Sequence, residues 1–293
     1  MIVPPSQKRL SLNELPRWSN WLGRFLGVGP LSPIRRTREK IDAEYDKDKY
    51  ASCLAYYRQH AQEGITVDQV RKEWEMRAVG SESCVSFGDE LFLLSSSESL
   101  TMNDQLLLEV LGPLAAQADS VVELGCGYGH NLWLLAQQFP GKTFFGGEYS
   151  PQAVTLAQEL YRNNPSIHVE QFNFYDPTYP ILDRLEKGRR VLVFTRHAIE
   201  QLPSAANVCL VLPKYADRMT AVVHLEPLYE THGESLLALL RKRYTEMNDY
   251  NRDLLPLLRA NPAVTVQEAQ MNVFGLNPLN PTSVIRWICA PHG

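Results

Sequence analysis

From about residue 119 onward, short apolar runs rich in β-branched residues alternate with amphipathic segments, and this alternation restricts the chain to a layered α/β architecture. SVVELGC reads as a strand, and NLWLLAQQF follows as a helix whose Leu132, Leu134, Leu135 and Phe139 recur at helical spacing. KTFFGGEYS reads as a second strand. The next helix opens with Ser150 as N-cap and Pro151 at its first position, and closes at Asn163, Asn164 and Pro165. IHVEQFNF, RRVLVFTRH and TAVVHLEP supply three more strands, with the short helix ILDRLEKG between the first two. Repeated strand–helix units predict a parallel sheet. A long amphipathic helix is expected over about 234–259. Beyond it, AVTVQEAQMNVFG and SVIRWICA are joined by LNPLNPT, too short for a crossover helix, so this pair is an antiparallel hairpin that ends the sheet.

The first 117 residues differ, being mostly helical in pattern and dense in charge between Arg35 and Tyr57. We divide the chain into this N-terminal extension, 1–117, and an α/β domain, 118–293. In PRWSNWLGRFLG, residues Trp18, Trp21, Leu22, Phe25 and Leu26 share one helical face, suited to packing on the body of the protein, to a lid, or to a homodimer contact. The 29 basic and 33 acidic residues, net −4, lack the electrostatic footprint of a nucleic-acid binder. A small-molecule substrate is the expected partner. The five cysteines are scattered, with no C-x-x-C pair, which argues against a disulfide framework or a zinc knuckle and for a reducing cytoplasm. The opening MIVPPSQKRLSLNELP has no apolar signal-peptide core, and no later run reaches the ~20 apolar residues of a membrane span.

The densest motif is VVELGCGYGHNL, where Gly125, Gly127 and Gly129 alternate directly after an apolar run carrying Glu123. Glycine is required where backbone turns with positive φ or approaches a ligand closely. At the carboxyl end of the first strand of a doubly wound sheet, such a loop sits where ligands bind. By itself the triplet allows a simple turn, a dinucleotide loop or another cofactor loop. Dinucleotide enzymes use G-x-G-x-x-G. Here the spacing is G-x-G-x-G, and an acid beside the loop repels pyrophosphate while suiting an amine or a sulfonium.

VVELGCGYG resembles the first motif of class I S-adenosylmethionine-dependent methyltransferases. The resemblance extends over roughly 118–290. Such enzymes carry, at the end of the second strand, an acid that accepts from both ribose hydroxyls; FFGGEYS supplies Glu148. After the third strand they place a polar side chain near the adenine amino group, for which Asn173 stands beside Phe174, with Asp176 as rival. The fourth-strand pattern F-S-x-H-V-L-E-H-L is matched by FTRHAIEQLP at Phe194, His197, Glu200 and Leu202. The resemblance implies a Rossmann-like, seven-stranded, mostly parallel sheet with a terminal antiparallel hairpin. It implies S-adenosylmethionine as cofactor and S-adenosylhomocysteine as product. Its expected cofactor-binding residues are Glu123, Gly125, Cys126, Gly127, Gly129, Glu148, Tyr149, Asn173, Phe174 and Arg196. Cys126 serves there by being small, and Tyr149 and Phe174 are equally well read as strand-end core residues.

The expected reaction is methyl transfer to oxygen, nitrogen or carbon of a small polar metabolite, an in-line displacement that needs alignment and, for a protic acceptor, a base. Its walls come from the ends of the fourth and fifth strands and from the extension. His197 and Glu226 are the candidate base and polar anchor, against a structural histidine and a helix-capping carboxylate as the alternatives. Glu200, Glu230, Tyr244 and Asn248 are candidate substrate contacts, with Gln201, His224, His232 and Asn251 on the same ground. Together they would form an acidic pocket favouring amines, guanidines or hydroxyls. Their spacing matches no metal motif, so no metal is expected. A protein or peptide methyltransferase and a non-catalytic binding subunit of this fold are the alternatives.

Overall fold

A computed structural model describes residues 8–19, 21–25, 35–76, 81–230 and 234–290. Leu26 and His232 lie outside these, and so does the side chain of Leu22.

The strands are β1 Arg9–Leu10, β2 Glu82–Phe87, β3 Glu90–Ser95, β4 Ser120–Leu124, β5 Thr143–Glu148, β6 Ile167–Gln171, β7 Val191–Arg196, β8 Met219–Glu226, β9 Val264–Phe274 and β10 Thr282–Cys289. The last seven form one sheet in the order β6-β5-β4-β7-β8-β10-β9. Strands β4 to β8 run parallel, and β10 is antiparallel to both β8 and β9. The expected architecture of a mostly parallel seven-stranded sheet closed by a reversed hairpin is thus the observed one.

Successive residues of a strand face opposite sides, so a sheet covered on both faces needs apolar residues at every position. Strands β4, β7 and β8 provide this along most of their length, with polar residues such as Glu123, Thr195 and Glu226 toward their carboxyl ends. Val121, Leu192, Phe194, Ala221 and Val223 join one apolar cluster with the helices Ser96–Gln117, His130–Gln138 and Pro151–Leu160. Val122, Val191, Val193 and Val222 join the other, with the helices Ala206–Val211 and Leu254–Ala260. Helix starts follow sequence chemistry: Ser95 and Glu98 close a capping box before the long helix, and Ser150 Oγ accepts from Ala153 N–H at 3.1 Å ahead of Pro151.

One expectation is corrected and another gains detail. The mostly helical extension also carries β1, β3 and β2 as a three-stranded antiparallel sheet. Ser86 of β2 exchanges two 2.9 Å backbone bonds with Gly275 past the end of β9, and Cys53, Val70, Val85 and Leu106 lie in the same apolar cluster as β4, so the extension packs into the α/β core. The helix expected over about 234–259 is broken into Leu236–Met247 and Leu254–Ala260. Asp249 between them takes φ +52°, and Asn251 Oδ1 accepts from the N–H groups of Asp253 and Leu254 to start the second piece. Short amide side chains compete with helix continuation in this way.

The segment following Arg36 crosses the carboxyl ends of the strands. Its residues Asp42–Tyr50 are wound wider than an α-helix, as a π-helix, with Ala51 N–H reaching back to Asp46 O. At one end Arg36 donates from Nε to Asn248 O (3.2 Å), from its N–H to Asp249 Oδ2 (3.1 Å), and lies 4.8 Å over the Tyr250 ring. At the other, Asp46 Oδ1 accepts from Ser150 Oγ (2.5 Å) and Gln152 N–H (3.0 Å). The extension is therefore strapped across the strand ends from both sides.

Candidate active site

Under this strap lies a cavity of about 120 Å³. Its floor comes from the loops after β4, β5, β6 and β7, through Gly125, Glu148, Tyr149, Ser150, Asn173, Phe174, His197 and Gln201; its roof comes from Ile41, Asp42, Tyr45, Asp46 and Tyr50. Ligands of doubly wound sheets bind in this crevice, outside the strand ends where the order reverses at β4.

The glycine loop is built for close approach. Gly125 has φ +79°, and a Cβ there would lie 2.4 Å from Ala198 Cβ and 3.4 Å from Phe174, so no other residue fits. Glu148 is 8% exposed, yet its carboxylate is fixed: Oε2 accepts from Gly127 N–H and Oε1 from Ser150 N–H, both at 2.8 Å. Burial raises its pKa against these bonds. A carboxylate has about four lone-pair sites, and those not taken by backbone N–H groups remain for a ligand's hydroxyls. Asn173 turns its Oδ1 to Tyr175 N–H and its Nδ2 to Asp176; Asn173, not Asp176, lines the cavity.

Other expected cofactor residues stand behind the loop. Glu123 is fully buried, accepts from Asn131 Nδ2 at 2.6 Å, and is pushed up to about 8 by burial. Arg196 donates to Asn131 Oδ1 (3.0 Å) and to Asn103 O (2.8 Å), so these groups form a chain that braces the loop from beneath. Cys126 is buried with its thiol raised well above its usual value, first by burial, and is not a nucleophile. Gly127 is covered by Tyr50, whose hydroxyl lies 2.6 Å from where a Cβ would stand.

The loop after β7 is held from below by Glu226. Its Oε1 accepts from Ala198 N–H (3.1 Å) and Ile199 N–H (3.2 Å), and its Oε2 from Glu200 N–H (3.3 Å). Glu226 is 1% exposed and raised to about 7, chiefly by burial. It caps the short helical turn that follows, the alternative to an acceptor anchor, and it lies outside the cavity wall. Beneath it, Trp287 Nε1–H donates to His224 Nε2 at 2.9 Å, which leaves the His224 proton on Nδ1, facing Thr195 Oγ1 at 2.9 Å; Thr195 in turn bonds Glu226. Burial depresses His224 to about 3, so this imidazole is a neutral connector.

His197 faces the cavity with φ +49°, an uncommon conformation for a residue with a side chain. Its Nδ1 is 3.2 Å from Glu200 Oε2 and its Nε2 is 2.7 Å from Thr282 Oγ1. Burial opposes the charge on His197, but the Glu200 carboxylate prevails and raises its pKa; Glu200 is lowered, its own burial outweighed by His197 and by Asn280 and Gln201.

The remaining expected contacts are elsewhere. Glu200 lies behind His197 and Gln201, next to the cavity but not on its wall. Tyr244 is buried edge-on against Trp21 at 4.7 Å, and Asn248 Nδ2 donates to Tyr244 O at the end of its helix. Glu230 is half-buried and raised by burial, outside the cavity wall. The carboxylates on the cavity wall are Glu148 and, from the extension, Asp42 and Asp46. No group of metal-ligating side chains occurs among the described residues, and none of their helices is long and apolar enough to cross a membrane.

No family model and no curated protein matches the chain. Solved structures of similar shape include geranyl diphosphate C-methyltransferase from Streptomyces coelicolor A3(2), in complex with Mg2+, geranyl diphosphate and S-adenosyl-L-homocysteine: identity 12%, TM-score 0.48, covering 66% of this chain and 82% of that one. The mitomycin 7-O-methyltransferase has identity 13% and TM-score 0.44, covering 85% of this chain and 70% of that one. Magnesium protoporphyrin IX methyltransferase from Synechocystis PCC 6803, with bound S-adenosylhomocysteine, has identity 14% and TM-score 0.44, covering 66% and 86%. What each shares with this chain is a likeness of fold at low identity.

Proposed function

We propose that this chain transfers the methyl group of S-adenosylmethionine to a small polar molecule. The observation that carries the reading is Glu148: a nearly buried carboxylate at the end of β5, held by two backbone N–H groups, on the wall of a cavity whose glycine loop accepts no side chain. Glu148 would take the ribose hydroxyls, with Tyr149, Asn173 and Phe174 around the base and the Gly125–Gly127 backbone along the amino-acid portion. Bound there, the cofactor supplies an electrophilic methyl group on a sulfonium.

The chain's own part is alignment, water exclusion and proton handling. The strap over 41–50 closes the cavity, which favours a small acceptor over a polypeptide laid along an open groove. Glu200 would keep the His197 proton on Nδ1, and Nε2, which is held by the Thr282 hydroxyl at 2.7 Å, would take up a proton from the acceptor only once that partner is displaced.

One observation favours a second reading, a binding subunit of this fold. The Tyr50 phenol rests on Gly127, and a chain in which it stayed there would exclude the cofactor. Calorimetry with S-adenosylmethionine and S-adenosylhomocysteine separates the two. Binding of both, weakened by about 10- to 100-fold in Glu148→Ala, is expected. Absence of binding by either sinks the enzymatic reading.

A further inference from the structure

Glycine at 127 leaves its backbone bare on the side that faces the strap, and the group that comes up to it is Tyr50. The hydroxyl lies 2.6 Å from where a Cβ would stand, and the ring carbon that bears it 3.4 Å. Backbone is left uncovered in this way where a ligand approaches closely. Here a side chain of the same molecule makes the approach, and nothing polar holds it there. Among the described residues the Tyr50 hydroxyl has no hydrogen-bond partner, and burial keeps it a neutral phenol beside Glu148. The space under the strap is also small. Sites for small molecules run to roughly 300–1,000 Å³, whereas this cavity has about 120 Å³. A ligand with both a nucleoside and an amino-acid portion therefore enters only if the roof moves.

The way the roof is fastened shows which part moves. Ahead of the π-helix, Arg36 is bound to Asn248 and Asp249; beyond it, Arg58 Nε donates to Glu159 Oε1 at 3.1 Å. Between these, among the described residues, only Asp46 joins 42–50 to the α/β domain by hydrogen bonds, through Ser150 Oγ and Gln152 N–H. This latch is opposed. Ser150 N–H already serves Glu148, so two carboxylates share one helix start, and the Asp46 charge adds to burial in raising the Glu148 pKa. The π winding is itself a rare state, found mostly at functional sites. Rewound as an α-helix, the strap would part Tyr45 and Tyr50 onto different faces, which turns Tyr50 off Gly127.

We propose that the strap is autoinhibitory: the Tyr50 phenol holds the place of the cofactor's amino-acid portion at Gly127, and the cofactor enters when the Asp46 latch releases and the π-helix rewinds. The proposal rests on the methyltransferase reading for the identity of the ligand. Its consequence is quantitative. A chain whose strap is mostly closed binds the cofactor more weakly than an open one, in proportion to the fraction open.

Tyr50→Ala removes the plug and Asp46→Ala the latch. S-adenosylhomocysteine and adenosine are titrated calorimetrically into the full chain of the wild type and of both variants, whose unfolding midpoints confirm that they fold. Each variant is expected to bind S-adenosylhomocysteine about tenfold or more tightly than the wild type, the gain for a strap open about a tenth of the time or less. Adenosine has no amino-acid portion, so its affinities for the wild type and Tyr50→Ala should agree within about twofold. A second measurement needs no variant: in the wild type, hydrogen exchange of the amides over 42–51 should quicken when S-adenosylhomocysteine saturates the chain. Weaker S-adenosylhomocysteine binding in both variants, or slower exchange, makes the strap a clasp on the bound cofactor and overturns the proposal while the methyltransferase reading stands. An equal gain for adenosine in Tyr50→Ala overturns it too, because Tyr50 would then bar the whole cavity and not its amino-acid end. If neither ligand binds any of the three chains, the methyltransferase reading falls and the gate with it; if the wild type alone fails to bind, both stand.

Discussion

The hydroxyl of Tyr50 stands 2.6 Å from the point that a Cβ on Gly127 would occupy, so the π-helical strap and the glycine loop are in direct contact. Gly127 also has φ +55°, where an L side chain costs about 1–2 kcal/mol. Gly127→Ala should therefore destabilise the chain through both strain and contact. In a Tyr50→Phe background the offending oxygen is gone, and the Cζ position, 3.4 Å away, is close to ordinary contact. The same substitution should then cost about 1 kcal/mol less. Denaturant unfolding of the four chains measures this coupling, and additivity within about 0.3 kcal/mol would show that the contact is not made.

The Tyr50 contact also marks where sequence reading stopped. The sheet, its hairpin, the glycine loop and the place of Glu148 are legible because each rests on local pattern: short continuous apolar runs, a connection too short for a crossover, and an acid at a fixed distance. The roof is not. Tyr45 and Tyr50 are five residues apart, which puts them on different faces of an α-helix, and only i→i+5 winding brings their rings to 6.4 Å. The partners of Glu226 are out of reach for a related reason. A strand-end acid next to a cleft reads as a substrate anchor or as a helix cap alike, and only the loop folding back delivers three amides to it. The spacing of Tyr244 and Asn248 implies one continuous helix, whereas Asn251 and Asp253 end it and begin another.

Glu200 should set the charge of His197. A raised folded-state pKa gives His197 a stabilising contribution that is full below the ordinary histidine value and is lost as pH rises through the raised one. The lowered Glu200 contributes above the ordinary glutamate value and is lost as pH falls through its own. The pair therefore stabilises most between those limits. In Glu200→Gln, burial remains while the carboxylate is gone, so the imidazole pKa should fall by about one unit or more. Ring-proton NMR titration measures this, and an unchanged value would dismiss the pairing. If His197 receives the acceptor's proton, the rising limb of activity against pH moves to lower pH in the same variant.

The Trp287–His224–Thr195 chain should act on stability and not on proton transfer. His224→Phe fills the space but strands the Trp287 N–H and one Thr195 bond, at a cost of about 2–4 kcal/mol for two buried polar groups. Since the imidazole is held near 3 by burial, it does not titrate at working pH. The unfolding midpoint in denaturant should drop, while the pH dependence of any activity keeps its shape. A shifted pH profile would mean that His224 exchanges protons with the site.

Glu123 offers a pH test of the loop's support. Its pKa, about 8 in the folded chain against about 4.3 in an unfolded one, means that the folded state binds more protons between those values. Stability contributed by this group is thus present below the unfolded value and lost progressively as pH rises through about 8. Glu123→Gln replaces the protonated acid with a neutral group of the same shape. It can still accept from Asn131, although its NH2 has no acceptor waiting where Oε2 is unpartnered. The variant should match or fall slightly below the wild type at pH 5 and exceed it at pH 8.5. One pKa unit corresponds to about 1.4 kcal/mol, so the crossover is measurable by thermal unfolding across pH. Parallel stability curves for the two chains would mean that Glu123 is ionised in the folded state, with its charge met by the Asn131–Arg196 chain.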